Sequence, residues 1–165
     1  MTADPPRVVA ILDSDPDTTE MLQVALEAAH FVVATGSLHE FRSGTEDLFA
    51  FLDRTRPDVI LYDLSPPYEA NWAFLQRARQ NPTFARCGLV ITTTNKRAVE
   101  KLVSLPVVEI FGKPYDLDVL TTAVRTATAP PSTVDSDDDR RLGRDRRIGD
   151  DRRSGNDRRD GGRVQ

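Results

Sequence analysis

Val59-Ile60-Leu61 is a continuous apolar run, rich in β-branched residues, that begins after Pro57 and stops on Asp63. A run without polar alternation suits a strand covered on both faces, as in the middle of a parallel sheet. Pro66-Pro67 then turn the chain, so the strand cannot continue. In an open parallel sheet, sites form at the edge where strands end. Asp63 is therefore the first candidate site residue. Taken alone, it reads equally well as a strand-ending turn residue.

The same pattern recurs along the chain. Residues 7–12 form an apolar run that ends in Asp13-Ser14-Asp15-Pro16. Asp15 suits an N-cap and Pro16 the first helical position, so a helix is predicted from there to about Ala29, with Leu22 and Leu26 inward. Phe31–Ala34 reads as a short strand. Residues 35–45 are polar and contain two glycines, and Ser43-Gly44-Thr45-Glu46 has capping-box spacing for a helix ending near Arg56. After the Asp63 strand, a helix is predicted from about Asn71 with Trp72, Leu75 and Ala78 on its apolar stripe, ending at Asn81-Pro82. Gly88–Thr92 is a fourth strand, Lys96–Val103 a short helix, and Val107–Phe111 a fifth strand. Asp116 then caps a last helix that fades at Ala129. Five alternations with short connections predict an α/β fold with a parallel sheet and helices on both faces. Right-handed crossovers limit it to a few doubly wound strand orders.

Composition divides the chain. Of 22 Lys and Arg, 10 lie in 135–165, as do 9 of 26 Asp and Glu. The last 31 residues hold only Leu142, Ile148 and Val164 as apolar side chains, too few to build a core. Cys87 is the only cysteine, so no intramolecular disulfide forms. That suits a reducing compartment, and a cytoplasmic location is expected. No apolar run is long enough to predict a membrane span.

Four strands finish on polar residues: Asp13 with Asp15, Asp63, Thr93 or Thr94, and Lys113. Clustered carboxylates repel one another, and Lys113 supplies one positive charge. A hard divalent cation such as Mg²⁺ would supply more, through carboxylate oxygens and retained waters. A carboxylate beside a metal and a lysine is suited to attack phosphorus.

In these residues, Ile11-Leu12-Asp13-Ser14-Asp15-Pro16, Pro57 to Leu64 with Pro67, Val90-Ile91-Thr92-Thr93 and Lys113-Pro114-Tyr115, the chain resembles the receiver domain of two-component response regulators over about 7–127. The resemblance implies a flavodoxin-like, five-stranded parallel sheet of order 2-1-3-4-5. It implies that Asp63 is the phospho-acceptor and that Asp13 is the first of the acidic pair which, with Asp63, holds Mg²⁺. It also implies that Thr93 (Thr94 one residue off) and Lys113 sense the phosphoryl group, and that the Lys113–Pro114 bond is cis. The departures are equally specific. Ser14 stands at the second acidic position and is a poor ligand for a hard cation, so Mg²⁺ binding is expected to be weakened. Ser14→Asp is expected to raise it. Ile110 holds the switch position usually taken by an aromatic residue, with Phe111 beside it on the opposite sheet face. Asn71 stands where a small glycine is expected.

The expected organisation is a receiver-like domain over 1–128, a linker with an acidic patch over 129–139, and a disordered tail over 140–165. The tail repeats a hexapeptide, as in Arg140-Arg141-Leu142-Gly143-Arg144-Asp145 and Arg146-Arg147-Ile148-Gly149-Asp150-Asp151. Its arginine pairs suit phosphate, including nucleic acid, but the interleaved aspartates weaken each pair's field and no aromatic offers base stacking. The leading expectation is a stand-alone, non-enzymatic signalling module. It would be phosphorylated at Asp63 by a histidine kinase or small phosphodonor, and would dock a protein on the face of the fourth predicted helix, the fifth strand and the last helix. The alternatives are a phosphorylation-independent pseudo-receiver scaffold and a nucleic-acid-associated protein acting through the tail.

Overall fold

A computed structural model describes residues 5–104, 107 and 109–128. The predicted linker and tail, 129–165, lie outside the described residues.

Five parallel strands form one sheet: β1 (Val8–Asp13), β2 (Val32–Ser37), β3 (Val59–Asp63), β4 (Gly88–Thr93) and β5 (Glu109–Gly112). Their order is β2-β1-β3-β4-β5, the doubly wound, flavodoxin-like order. Among the described residues, seven helices connect and follow them: α1 (Pro16–Ala28), α2 (Leu38–Ser43), α3 (Leu48–Thr55), α4 (Tyr68–Ala78), α5 (Pro82–Ala85), α6 (Lys96–Leu102) and α7 (Leu117–Thr128).

Alternation along the strands builds two cores. Val9, Ile11, Val59, Leu61, Val90 and Phe111 face one side, where Leu22 and Leu26 of α1 and Leu120, Ala123 and Val124 of α7 cover them. Ala10, Leu12, Ile60, Tyr62, Leu89 and Ile91 face the other, against Phe41 of α2, Phe51 and Leu52 of α3, Trp72 and Leu75 of α4, Phe84 of α5 and Val99 of α6. Burial on both faces explains why β1, β3 and β4 read as unbroken apolar runs. Trp72, on the predicted apolar stripe, is buried in this second core.

The segment between β2 and β3 differs most from expectation. Residues 35–45 read as a polar connection, yet β2 runs on to Ser37 and α2 follows directly. Ser37 caps α2 by accepting the Glu40 amide, and Leu38 and Phe41, one turn apart, supply the buried face. Two apolar residues in six are too few to show a helical period. The capping box at Ser43 is not used for α3. Ser43 closes α2, Gly44 follows in the left-handed conformation at φ 76°, and Asp47 caps α3 through the amides of Phe49 and Ala50. Further on, α4 begins at Tyr68 rather than Asn71, because Pro67 precedes its first turn. Asn81 does not only end α4; it caps the single turn of α5 by accepting the Thr83 amide.

Gly36 is required by a close approach. A Cβ there would lie 2.6 Å from the Phe41 ring, which is wedged against Phe51 with ring centroids 5.4 Å apart. The glycine lets α2 lie down immediately after β2.

Candidate functional site

The carboxyl ends of β1, β3 and β5 bring three charged side chains together. Asp13 closes β1, Asp63 closes β3, and Lys113 follows β5 directly. Lys113 Nζ lies 2.8 Å from Asp63 Oδ1 and 3.5 Å from Asp13 Oδ2. Both carboxylates are buried and the lysine stem is mostly covered. The Lys113 amide donates to the Thr93 carbonyl at 2.7 Å, which fixes the start of its loop against β4. The Lys113–Pro114 bond is cis, as the resemblance implied; Pro66–Pro67 is cis as well.

Burial governs the electrostatics. It works to raise the Asp13 pKa, and the charge of Asp63 adds to that. The Asp15 amide, 2.9 Å from Asp13 Oδ1, and the ammonium of Lys113 oppose it without reversing the sign. Burial also disfavours the Lys113 ammonium. Its hydrogen bond to Asp63 and the charges of Asp63 and Asp13 together outweigh that penalty, and its pKa is raised. Asp15 is not part of this group. It is exposed and caps α1, accepting the Thr18 hydroxyl at 2.6 Å and the Asp17 amide at 3.2 Å. The Thr18 bond holds its carboxyl below the usual range.

The hydroxyl beside Asp63 belongs to Thr92. Its Oγ1 lies 3.4 Å from Asp63 Oδ1, a long and weak contact. Asp63 and Thr92 are register partners across β3 and β4, so their side chains leave the same sheet face. Thr93 is one residue on and points the other way. It is buried, and its Oγ1 accepts the Asn95 amide at 3.2 Å. Thr94 is turned outward to the Tyr68 hydroxyl, 3.0 Å away. Thr92 was missed because the register of β4 against β3 cannot be counted from the sequence. The only signal was the period-two step from Val90. Ile110 packs, half-buried, against the core on the Thr93 side, whereas Phe111 is buried on the Asp63 side, as their alternation predicted.

Ser14 points to a side chain that the sequence did not single out. Arg42 of α2 donates through Nη2 to Ser14 Oγ at 3.2 Å, through Nε to the Leu38 carbonyl at 3.1 Å, and through Nη1 to Asn71 Oδ1. Asn71 is buried, and its amide nitrogen donates to the Ser65 carbonyl at 2.6 Å. The residue at the expected glycine position is thus hydrogen-bonded through both its amide oxygen and its amide nitrogen.

The donor set can be weighed against Mg²⁺. Asp13 Oδ2 is buried and takes no hydrogen bond, which leaves it free for a ligand. Yet the Lys113 ammonium already stands against both carboxylates. Ser14 Oγ is neutral and held by Arg42. Among the described residues, no three His, Cys, Asp or Glu side chains gather in a way that could hold a metal ion. The residues do not fit a divalent cation in this arrangement.

No protein-family model and no curated protein matches the sequence. Solved structures do match the fold. A response regulator from Thermotoga maritima superposes with a TM-score of 0.61 at 22% identity, covering 76% of this chain and 100% of that one. A signal receiver domain of a two-component histidine kinase from Clostridium thermocellum gives 0.61 at 20%, covering 75% and 98%. A sensor protein from Polaromonas sp. JS666 gives 0.62 at 20%, covering 75% and 97%. At these identities the likeness establishes the fold: the chain has the receiver-domain fold, with Asp13, Asp63 and Lys113 at its strand-end edge. No helix among the described residues is long and apolar enough to cross a membrane.

Proposed function

We propose that the chain is a signalling module of the receiver type. Asp63 accepts a phosphoryl group, and the change is read by a protein docked on the face of α6, β5 and α7. The observation that carries this reading is the 2.8 Å contact between Lys113 Nζ and Asp63 Oδ1 at the edge where three strands end. In the step itself, an Asp63 carboxylate oxygen bonds to phosphorus. The donor's bond to phosphorus breaks, and its electron pair leaves with the donor. Charge develops on the phosphoryl oxygens, and the Lys113 ammonium is already in place to stabilise it without reorganisation. The donor is a small phosphorylated compound or the phosphohistidine of a kinase. Thr93 and Ile110 share the sheet face behind the site, which suits them to pass a change at the strand ends towards α6. There Lys96, Glu100, Val103, Val107, Glu109 and Ile110 line a shallow cavity of about 370 Å³ that supports a docking role.

The test is incubation with a small phosphodonor, with Mg²⁺ and with a chelator, followed by intact mass measurement. One phosphoryl adduct, lost in Asp63→Asn, is expected. No adduct under either condition would sink the proposal.

A second reading, a phosphorylation-independent scaffold, is favoured by two observations: Arg42 engages Ser14, and among the described residues the acidic set is short of a metal site. On that reading, partner capture is the same for the wild type and Asp63→Asn, with or without phosphodonor.

A further inference from the structure

Arg42 joins parts of the chain that are distant in sequence. Ser14 lies 28 residues before it and Asn71 lies 29 residues after. Ser14 follows β1, while Asn71 reaches the Ser65 carbonyl in the loop after β3. One half-buried guanidinium therefore connects α2, the loop after β1 and, through Asn71, both α4 and the loop after β3. Each of its three nitrogens has an acceptor. The planar fork of a guanidinium is pre-organised for several acceptors at once. Of two cavities that Ser14 lines, the one on the Arg42 side, about 560 Å³, is lined by Ser14, His39, Arg42, Ser43, Ser65 and Pro66 without a carboxylate, whereas the other includes Asp13, Glu20, Glu40 and Glu46.

Tying two strand-end loops together across an acidic edge is work that a divalent ion does when carboxylates from both loops ligate it. Here the carboxylates face Lys113, and the neighbouring hydroxyl faces Arg42. We infer that Arg42 is a resident cation in place of a divalent ion: it holds the loops after β1 and β3 in position and makes this edge independent of Mg²⁺. Lys113 already stands against Asp13 and Asp63, and Arg42 places a second positive charge beside Ser14. An acidic residue introduced at Ser14 would meet Arg42 first and form a charge-assisted pair with it, rather than a metal site. The arrangement concerns the resting chain and stands whether or not Asp63 is phosphorylated.

The test uses the full chain as wild type, Ser14→Asp, Arg42→Met and the double variant. Thermal unfolding is followed in chelator, in about 10 mM Mg²⁺ and in NaCl of matched ionic strength, since a ligand that binds only the folded state raises Tm. Titration calorimetry with Mg²⁺ runs alongside. The wild type and Ser14→Asp are expected to show the same Tm in Mg²⁺ and in matched NaCl, with no binding heat. Arg42→Met is expected to lower Tm by a few degrees. The double variant is expected to gain both a Mg²⁺-dependent Tm rise and saturable binding, which a merely structural role for Arg42 would not bring about. Saturable Mg²⁺ binding by the wild type overturns the inference. So does a folded double variant that fails to bind, or a Ser14→Asp chain that binds as tightly as the double. If Arg42→Met does not fold, Arg42→Gln, which keeps hydrogen bonding and removes the charge, is read in the same way.

Discussion

Lys113 Nζ lies 2.8 Å from Asp63 Oδ1, so the loop after β5 is tied by charge to the end of β3 across the intervening β4. The same ammonium is 3.5 Å from Asp13 at the end of β1. Removing it leaves two buried carboxylates facing each other. Lys113→Met is expected to cost about 2 kcal/mol at neutral pH, below the range for a fully buried pair because the lysine is partly solvated. Adding Asp63→Asn should recover part of that loss. Urea denaturation of the two single variants and the double gives the coupling directly.

The raised pKa of Lys113 sets an alkaline limit. Its folded value lies above 10.5, so the native state holds this proton more tightly than the unfolded chain. That contribution is complete below pH 10.5 and is lost as pH rises through the folded value. Denaturation midpoints taken across this range should fall less steeply in Asp63→Asn, which removes the bond that raises the pKa.

Asp13 shifts in the same direction at acid pH, but here it is the neutral form that the fold favours. Its folded pKa is raised above 3.8, so the native state prefers it neutral, and stability falls as pH climbs from 3.8 through the folded value. Asp13→Asn removes a buried charge, and with it the repulsion with Asp63, and is expected to stabilise the domain at pH 7 by on the order of 1 kcal/mol. The gain should vanish in acid, where the wild-type carboxyl is protonated.

The strand-end charges were legible in the sequence because each closes an apolar run. Val59 to Leu61 ends on Asp63, Ala10 to Leu12 ends on Asp13, and Ile110-Phe111 ends near Lys113. Burial on both faces wrote the first two runs, and parallel pairing gathered the ends of all three at one edge. Thr92 was not legible, since choosing between it and Thr93 needs the register of β4 on β3. Arg42 was not legible either. It sits in a six-residue helix with only Leu38 and Phe41 as apolar markers, and its partners are about thirty residues away on either side. Short-range patterns report which face a residue takes, whereas a side-chain bridge between loops depends on tertiary placement alone.

Gly36 is the sharpest test of how α2, and with it Arg42, is placed. Gly36→Ala would set a Cβ 2.6 Å from the Phe41 ring, which Phe51 holds from the other side. Overpacking of this kind is expected to cost about 1–3 kcal/mol. Thermal unfolding measures it, and the loss should shrink in Gly36→Ala combined with Phe41→Leu.

Asp63 is the proposed phospho-acceptor. Reductive trapping tests this most directly: after exposure to a small phosphodonor, borohydride converts an acyl phosphate to an alcohol, and peptide mapping locates the altered residue. The expected result is modification confined to Asp63, absent without phosphodonor. Modification at Asp13 or elsewhere, or none at all in a folded chain, would contradict it.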